Sequence, residues 1–335
     1  MASTSSIRVE NRQGRSVANA AAQHLIKPFA PLILKPGDRQ PAGSPRLTPH
    51  PSADGRCTIR EWQKADTWIY TFSQVGEREG ELVSRPRHLI YYFAGGGFRG
   101  APTKEHWLFC AELCQQLPEY QINLISSPLA PNSPASSALP HLERLYDTLA
   151  CQSRDENSRI TLLGDSSGGN VALVLALYAA SEYLKMKMQS PRGLCPVAAV
   201  MAICPAVDLR NEHPDIDRIQ AHDPVLSRKT IEEVGDGWRV ELSAADPRVS
   251  PALADLTLFQ RAGVKVDGLT AGYDVLTPDA LRFRDKLAEA GVDGDWLHWE
   301  KQMHCFPLMS AFHVHEGVAG KDWMVDVLRG NLQHG

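Results

Sequence analysis

The sequence predicts an α/β fold in which helices flank a mostly parallel central sheet. Short apolar runs of strand type alternate with helical patterns over residues 88–332, as in parallel sheets that are built from βαβ units. With 335 residues, of which 43% are hydrophobic, the chain can bury a substantial core in one large domain or in two. The run at 160–163 turns abruptly into a helical stretch through glycines. This strand-to-helix turn is the centre of the predicted fold.

Residues 1–55 carry seven prolines, all between positions 28 and 51. Proline lacks a backbone N–H and interrupts central strands and long helices. Apart from a helix at 17–26, we therefore expect a flexible tail or part of a covering flap. The residues from 57 to 72 are rich in β-branched and aromatic side chains. They predict two antiparallel strands, the second at 67–72.

The remainder of the chain predicts six further strands and five helices. The strand-type runs are 88–93, 122–125, 160–163, 197–203, 264–271 and 295–300. The helical patterns are 104–117, 141–150, 171–180, 278–290 and 320–332. Residues 208–246 are polar and irregular and separate two strands that should be neighbours, so we assign them to an insertion above the active-site face. The predicted organisation is a cap segment over 1–55, a core over 56–207 and 247–335, and a cap insertion over 208–246.

The central turn contains a candidate nucleophile. Residues 164–168 read Gly-Asp-Ser-Ser-Gly, the Gly-x-Ser-x-Gly pattern of a nucleophile elbow. Because Gly164 and Gly168 lack a Cβ, strand and helix can approach closely and leave the Ser166 hydroxyl exposed on a sharp bend. The alternative is a Gly/Ser turn in an ordinary buried strand–turn–helix unit. The apolar strand and helix on either side favour the elbow, with Ser166 as the nucleophile.

A serine nucleophile needs a base, usually a histidine that is oriented by a carboxylate. In the fold that carries this elbow, the partners follow in the order serine, acid, histidine. Asp274 follows one later strand and His304 follows the next, so we predict Asp274 as the acid and His304 as the base. The competing candidates fit structural or surface positions better: His298, His313, His315, Asp267 and Asp279.

Three consecutive glycines, at 95–97, follow the strand at 88–93. Ordering glycines costs more conformational entropy than ordering other residues, so we expect them to serve a purpose. We predict a loop whose backbone N–H groups point into open space toward an oxyanion. A plain flexible turn is the alternative.

Composition excludes several classes of function. The net charge is −4 and no basic block stands out, so neither nucleic acid nor an anionic membrane is a predicted partner. The chain has no apolar run of membrane-span length and no secretory signal pattern at its start, so we expect a cytoplasmic protein. The seven cysteines are expected to be reduced, mostly buried thiols. No histidine–carboxylate cluster has ligand spacing, so we expect no metal, and the chemistry needs no cofactor.

Together the motifs resemble the hormone-sensitive-lipase branch of the α/β-hydrolases, esterases marked by His-Gly-Gly-Gly and Gly-Asp-Ser-Ala-Gly-Gly. The matching segments occur in the family's order over residues 85–310: 129–134, 164–170, 250–251, 274–276 and 304–306. The resemblance implies the α/β-hydrolase fold, with a cap built from the N-terminal segment and an insertion before the acid. It extends to the expectation of a fungal secondary-metabolism member.

The resemblance also assigns the oxyanion hole, to the backbone N–H groups of Gly96, Gly97 and Ser167. Two positions depart from the family pattern, because Ala94 stands where the family has histidine and Ser167 where it usually has alanine. The first departure removes a hydrogen-bonding side chain that would steady the glycine loop. The oxyanion donors are backbone groups and are retained.

The predicted function is a serine carboxylesterase that cleaves a small to medium apolar ester through Ser166, Asp274, His304 and an acyl-enzyme. One alternative uses the same triad in a thioesterase, an acyltransferase or a cyclase that acts on a biosynthetic, polyketide-like intermediate. A third hypothesis is a non-catalytic receptor, although such proteins generally lose the nucleophile or the base. The expected partner is a small-molecule ester or acyl substrate, and a homodimer is compatible with the sequence.

Overall fold

The computed structural model describes residues 5–30, 39–76, 88–189 and 193–332. In this part of the chain, a nine-stranded sheet forms the framework. In chain order its strands are β1 (Ile7–Arg12), β2 (Thr58–Lys64), β3 (Thr67–Ser73), β4 (His88–Phe93), β5 (Tyr120–Ile125), β6 (Arg159–Asp165), β7 (Val197–Ile203), β8 (Lys265–Tyr273) and β9 (Gly294–Met303). Across the sheet the order is β1-β9-β8-β7-β6-β4-β5-β3-β2.

Parallel pairing dominates the sheet, as the sequence predicted. Each strand pairs in parallel with its neighbour along the series β1, β9, β8, β7, β6, β4 and β5. The last two pairs are antiparallel, since β3 pairs antiparallel with β5 and β2 with β3. Parallel strands are buried on both faces, so they read as continuous apolar runs without alternation. Their carboxyl ends lie along one edge of the sheet, where sites form in folds of this class.

The described helices are α1 (Val17–Ile26), α2 (Lys104–Gln116), α3 (Ala135–Asp155), α4 (Ser166–Gln189), α5 (Asp215–Ile219), α6 (Arg228–Arg239), α7 (Thr257–Ala262), α8 (Thr277–Glu289) and α9 (His315–Leu332). They cover both faces of the sheet. Consecutive residues of β4 point to opposite faces. Tyr91 belongs to a buried apolar cluster with α3, α4 and α8, whereas Tyr92 belongs to one with α2 and α9. None of these helices is long and apolar enough to span a bilayer.

One strand was not predicted. Residues 7–12 fall in the segment assigned to a tail or flap, but they form β1 at the sheet edge, parallel to β9. Only Ile7 of this strand is buried, and most of the others are exposed, so the hexapeptide lacks the apolar pattern of a strand. The assignment of the whole of 1–55 to a region outside the sheet is therefore wrong for these residues. The helix at 17–26 was predicted correctly.

The insertion at 208–246 joins β7 to β8, which are neighbours in the sheet, and it contains α5 and α6. Its irregular character agrees with the sequence. The N-terminal segment reaches it, because Lys27 Nζ donates to the Ala221 carbonyl at 2.8 Å. That these two segments act together as a cap stays a prediction.

Candidate active site

The candidate nucleophile occupies the strand-to-helix turn itself, because β6 ends at Asp165 and α4 begins at Ser166. Ser166 has a φ of 54°, in the left-handed region that costs a non-glycine residue about 1–3 kcal/mol. The flanking glycines are tightly packed. A Cβ at Gly164 would lie 2.3 Å from the Gly168 carbonyl oxygen, and one at Gly168 would lie 2.0 Å from that of Phe93. Strand and helix therefore approach as closely as the sequence predicted.

Two further side chains reach Ser166 from the ends of later strands. His304 directly follows β9, and its Nε2 lies 2.8 Å from Ser166 Oγ. Its Nδ1 lies 2.8 Å from Oδ2 of Asp274, which directly follows β8. Asp274 is fully buried, and its Oδ1 accepts the Leu276 N–H at 2.9 Å. A neutral His304 that donates from Nδ1 to Asp274 presents the Nε2 lone pair to the serine hydroxyl, as proton abstraction requires.

The surroundings of His304 favour its protonated form. Burial opposes protonation, because a charged ring loses hydration in a site of low polarity. The charge of Asp274 and its hydrogen bond outweigh this effect, with smaller contributions from Cys204 and Asp223, so that the pKa of His304 is raised. The positively charged ring, as it would form on taking a proton from Ser166, is therefore stabilised at this position.

The glycine loop after β4 lies against the elbow, and a Cβ on Gly95 would be 3.0 Å from Ser166 Cβ. The N–H of Gly95 donates to Asp165 Oδ1 at 2.8 Å. Gly96 and Gly97 have φ values of 141° and 62°, which side chains rarely permit. Their N–H groups have no acceptor within the described residues. Of the three glycine amides, the second and third therefore remain for a ligand.

Ser167 adds a third donor. It is the second residue of α4, and the first N–H groups of a helix have no partner within it. They also lie at the positive end of the helix dipole, which favours a negative ligand. The three N–H groups predicted for the oxyanion hole, on Gly96, Gly97 and Ser167, thus flank Ser166. Their joint action on an oxyanion stays a prediction.

Asp165 anchors the glycine loop to the core. Its Oδ1 accepts from the Tyr92 hydroxyl at 2.7 Å as well as from Gly95, and its Oδ2 lies 3.4 Å from Nε2 of His106. His106 Nδ1 accepts the Thr103 N–H at 2.9 Å, which assigns the ring proton to Nε2 and makes His106 a donor to Asp165. Burial opposes the negative charge of Asp165, but His106, Tyr92 and Gly95 together lower its pKa.

This network holds the glycine loop although Ala94 provides no imidazole. This network could not be predicted from the sequence, because His106 lies on α2, 59 residues before Asp165. The one available signal was the position of Asp165 next to Ser166 within the elbow motif.

The insertion supplies a second buried carboxylate beside the triad. Asp223 is 3% exposed. Its Oδ1 accepts the N–H groups of Val225 and Leu226 at 2.8 Å each, and its Oδ2 accepts that of Val275 at 3.0 Å. Burial, and then the charge of Asp274, raise the pKa of Asp223 to about 7. The insertion is therefore fastened to the loop that carries the triad acid. Sequence reasoning missed Asp223, because nothing marks one carboxylate of an irregular polar stretch as buried.

A small apolar cavity of about 20 Å³ adjoins the elbow, between Ala94, Gly168 and the rings of Phe98 and Trp238. The two rings are stacked, with centroids 4.6 Å apart and 7° between their planes. Trp238 comes from α6 of the insertion and is 1% exposed. Its Nε1 has no hydrogen-bond partner in the part of the chain that the structure describes. The space beside the nucleophile holds about one group the size of a water molecule.

The competing candidates make other contacts. His298 Nδ1 lies 3.0 Å from Thr270 Oγ1, and its Nε2 lies 3.6 Å from Glu300 Oε1. It lines a separate polar cavity of about 440 Å³. The remaining candidates are Asp267 in β8, Asp279 in α8, His313 at the end of the 3-10 helix Phe306–Phe312, and His315 at the start of α9. None of these groups has a described hydrogen bond to Ser166 or His304.

Two thiols complete the surroundings of the triad. The Sγ atoms of Cys204 and Cys305 and a ring nitrogen of His304 all lie within 4.8 Å of one another. Thiolate and imidazole are ligands for zinc and other soft ions. The expectation of no metal site rested on histidine–carboxylate spacing alone, so it did not consider this cluster.

Comparison with solved structures gives the same fold. A hormone-sensitive lipase from a metagenome library superposes with a TM-score of 0.72 and 17% identity, over 95% of this chain and 99% of that one. The structure of EstE5 gives a TM-score of 0.71 and 16% identity, over 95% and 98% of the two chains. At these identities the likeness concerns the fold alone, and it confirms the predicted α/β-hydrolase architecture.

Sequence relatives have related names. A protein of Acinetobacter venetianus named esterase is 28% identical over 290 residues, which are 85% of this chain and 90% of the relative. Human hormone-sensitive lipase is 29% identical over 177 residues, 50% of this chain and 15% of the human protein. These names agree with the predicted enzyme class. A family model described as alpha/beta hydrolase fold matches residues 90–308. Because this match spans well over half of the chain, the protein belongs to the alpha/beta hydrolase fold family.

Proposed function

We propose that this protein is a serine carboxylesterase, with Ser166 as nucleophile, His304 as general base and Asp274 as the acid that orients His304. The observation that carries the proposal is the continuous chain of contacts from Asp274 through His304 to Ser166, with 2.8 Å at both links. Relatives named esterase and carboxylic ester hydrolase support ester chemistry.

In the proposed reaction, Ser166 Oγ attacks the ester carbonyl carbon while His304 Nε2 takes the hydroxyl proton. The negative charge that develops on the carbonyl oxygen is stabilised by the N–H groups of Gly96, Gly97 and Ser167. The imidazolium then protonates the departing alkoxide, and the acyl group remains on Ser166. Water, deprotonated by His304, attacks the acyl-enzyme. The tetrahedral intermediate formed by this attack then collapses, which releases the carboxylic acid and returns the proton from His304 to Ser166 Oγ.

The acyl part of the proposed substrate is short and apolar. The cavity beside the elbow measures about 20 Å³ and is bounded by the stacked rings of Phe98 and Trp238. This space holds about one methyl group, such as that of an acetyl group, whereas a longer chain requires the rings to move. Of the small to medium esters predicted from the sequence, the small ones are therefore favoured.

Hydrolysis of 4-nitrophenyl acetate by the wild type and by Ser166→Ala tests the proposal. We expect the substitution to lower kcat by at least about 10³-fold, because it removes the hydroxyl on which the proposed acyl-enzyme forms. Ser153→Ala is the matched control, since it removes a buried hydroxyl whose hydrogen bond, to the Ser158 carbonyl at 2.6 Å, lies within the turn after α3. Equal rates in the wild type and Ser166→Ala would contradict the proposal.

Two further measurements, mass spectrometry of Ser166 and labelling with a fluorophosphonate probe, separate the alternatives. A lasting acyl adduct on Ser166, without release of free acid, favours thioester release, acyl transfer or ring closure of a biosynthetic intermediate, including one of fungal secondary metabolism. A folded protein whose Ser166 does not react with a fluorophosphonate probe favours a non-catalytic receptor. Contact between nucleophile and base supports catalysis over a non-catalytic receptor, and the relatives named esterase support ester hydrolysis over the other reactions.

A further inference from the structure

Two cysteines approach the triad from the same edge of the sheet. Cys204 directly follows β7, and Cys305 lies two residues beyond the end of β9. Both are buried, at 1% and 8% exposure. Both have left-handed backbone conformations, with φ values of 44° and 50°, so their side chains leave the chain at sharp turns. Cys305 Sγ lies 3.4 Å from His304 Nε2.

We propose that Cys204, Cys305 and His304 form an inhibitory binding site for a soft divalent metal ion such as Zn²⁺ or Cd²⁺. The three ligand atoms lie within 4.8 Å of one another. In a zinc site, bonds of about 2.3 Å to sulfur and about 2.0 Å to nitrogen place the ligand atoms somewhat closer together than this. Small side-chain movements therefore complete the site. The fourth position is left to solvent.

The donor set matches soft ions chemically. Two thiols and one imidazole select zinc-like ions over magnesium or calcium, which prefer oxygen. Each thiol releases one proton to solvent as its sulfur binds the ion, and the ring supplies its lone pair, so no electron transfer is involved. Burial raises the pKa of the Cys305 thiol well above its ordinary value, so this thiol stays neutral when no metal is bound. Binding therefore becomes tighter as pH rises.

Inhibition follows from the atom that the ion occupies. Nε2 of His304 is the nitrogen that contacts Ser166 Oγ at 2.8 Å. An ion on this lone pair prevents the ring from accepting the serine proton. This consequence depends on the proposed function, whereas metal binding itself does not. Ser166 and His304 are partly exposed while both thiols are buried, so an ion reaches the site from the substrate side.

The first measurement does not depend on activity. The reduced protein, prepared without chelator, is titrated with CdCl₂ while the ultraviolet thiolate-to-cadmium charge-transfer band is recorded. We expect one tightly bound equivalent with an intensity that corresponds to two thiolates. Cys204→Ser and Cys305→Ser should each lose about half of this band, and the double variant should lose it. Cys151→Ser, which changes an exposed cysteine of α3, should retain it.

The second measurement is inhibition of ester hydrolysis by ZnCl₂, with each variant referred to its own metal-free rate. Loss of even an outer partner of a metal ligand lowers metal affinity about 10- to 100-fold. Loss of both thiol ligands should therefore raise the inhibiting ZnCl₂ concentration by at least about tenfold. EDTA should restore activity. A wild type without the cadmium band, or equal inhibition of the wild type and a folded double variant, would overturn the site. A band in a protein without hydrolysis would contradict the esterase proposal alone.

Discussion

Asp274 and Asp223 are both buried carboxylates near His304, but they contact it differently. Asp274 hydrogen-bonds the ring directly at 2.8 Å, whereas Asp223 accepts only backbone N–H groups, one of them from Val275 beside the acid. Its charge nevertheless contributes to the raised pKa of His304. We therefore expect Asp223 to act as a positioning residue, and the two carboxylates should respond differently to removal of their charge.

We expect kcat/KM of the wild type to rise with pH, because only the neutral ring accepts the serine proton. The pKa of His304 is raised from 6.5, so the midpoint should lie above pH 6.5. Asp223→Asn removes a nearby negative charge, lowers the pKa of His304 and should move this midpoint to lower pH, with a rate change within about tenfold.

Two comparisons make the pH experiment decisive. Asp274→Asn removes the orienting acid and should lower kcat by about 10⁴-fold. Asp236→Asn, an exposed carboxylate of α6, should leave the profile unchanged. If the midpoint of the pH profile does not move in Asp223→Asn, Asp223 fastens the insertion and does not influence His304.

The hydrogen bond between His106 and Asp165 should affect catalysis through the glycine loop. In His106→Ala, Asp165 stays buried but loses a partner, so the loop that carries the oxyanion donors shifts. We expect kcat to fall between about 10- and 100-fold with little change in KM, since small misplacements of this kind are costly in the transition state. His141→Ala is the control, because His141 is also buried and lies 2.8 Å from Thr67 Oγ1, within another part of the core. It should lower the melting temperature without this loss of kcat. An equal loss in both variants would indicate a general effect of destabilisation.

At the residue scale, the sequence was sufficient for the groups that local patterns mark. Ser166 stands between two glycines that its conformation requires, and Asp274 and His304 each follow a recognisable strand. His106 and Asp223 were missed because their roles depend on contacts between distant segments. A buried carboxylate that accepts backbone N–H groups has the same one-dimensional signature as an exposed one.

At the scale of elements, the insertion helix α6 bounds the cavity beside the elbow, so we expect it to determine how much room an acyl group has. Trp238 lies on this helix and stacks on Phe98, which follows the glycine loop. The contact joins the insertion directly to the loop beside the nucleophile. A change in α6 should therefore alter the preferred acyl length before it alters the chemistry.

Trp238→Ala tests this idea with 4-nitrophenyl acetate and hexanoate. Each buried methylene contributes about 0.8 kcal/mol, so four extra methylenes in the enlarged cavity amount to about 3 kcal/mol. Since about 1.4 kcal/mol corresponds to a factor of ten, we expect the hexanoate-to-acetate ratio of kcat/KM to rise about 100-fold. Trp238→Phe should give an intermediate ratio at a smaller cost in stability. Trp323→Ala, which removes an indole of α9 whose Nε1 donates a hydrogen bond to Glu10, should keep the wild-type ratio. An unchanged ratio in Trp238→Ala would place the acyl group elsewhere.

The central strands and the edge strand β1 differed in how well the sequence predicted them. The central strands were predicted closely, because burial on both faces requires continuous apolar runs. The edge strand β1 was missed, since one face and one edge of it are open and its partner β9 lies near the other end of the chain. An edge strand needs few apolar residues, so its pattern is weak.

At the scale of the whole molecule, the parallel sheet brings distant segments together at one edge. Five neighbouring strand ends supply the parts of the site: the glycine loop after β4, Ser166 after β6, Cys204 after β7, Asp274 after β8 and His304 after β9. The chemistry therefore depends on the stability of the sheet, which makes its buried charges important. One of them lies away from the site, in β8.

Asp267 is fully buried, and its carboxylate accepts the Asp295 N–H at 2.9 Å and Asn331 Nδ2 at 2.7 Å. Burial raises its pKa from 3.8 to about 6. The folded protein therefore holds this proton more tightly than the unfolded chain, and the free energy of unfolding should fall as pH rises from 4 to 7. For one such group the loss is about 2 kcal/mol. Asp267→Asn cannot ionise, so urea unfolding at pH 4 and pH 7 should show a decrease smaller than that of the wild type by about this amount. Asp326→Asn, which changes an exposed carboxylate of α9, should show the pH dependence of the wild type. If the stability of all three proteins depends on pH in the same way, Asp267 is ionised at little cost in the folded state.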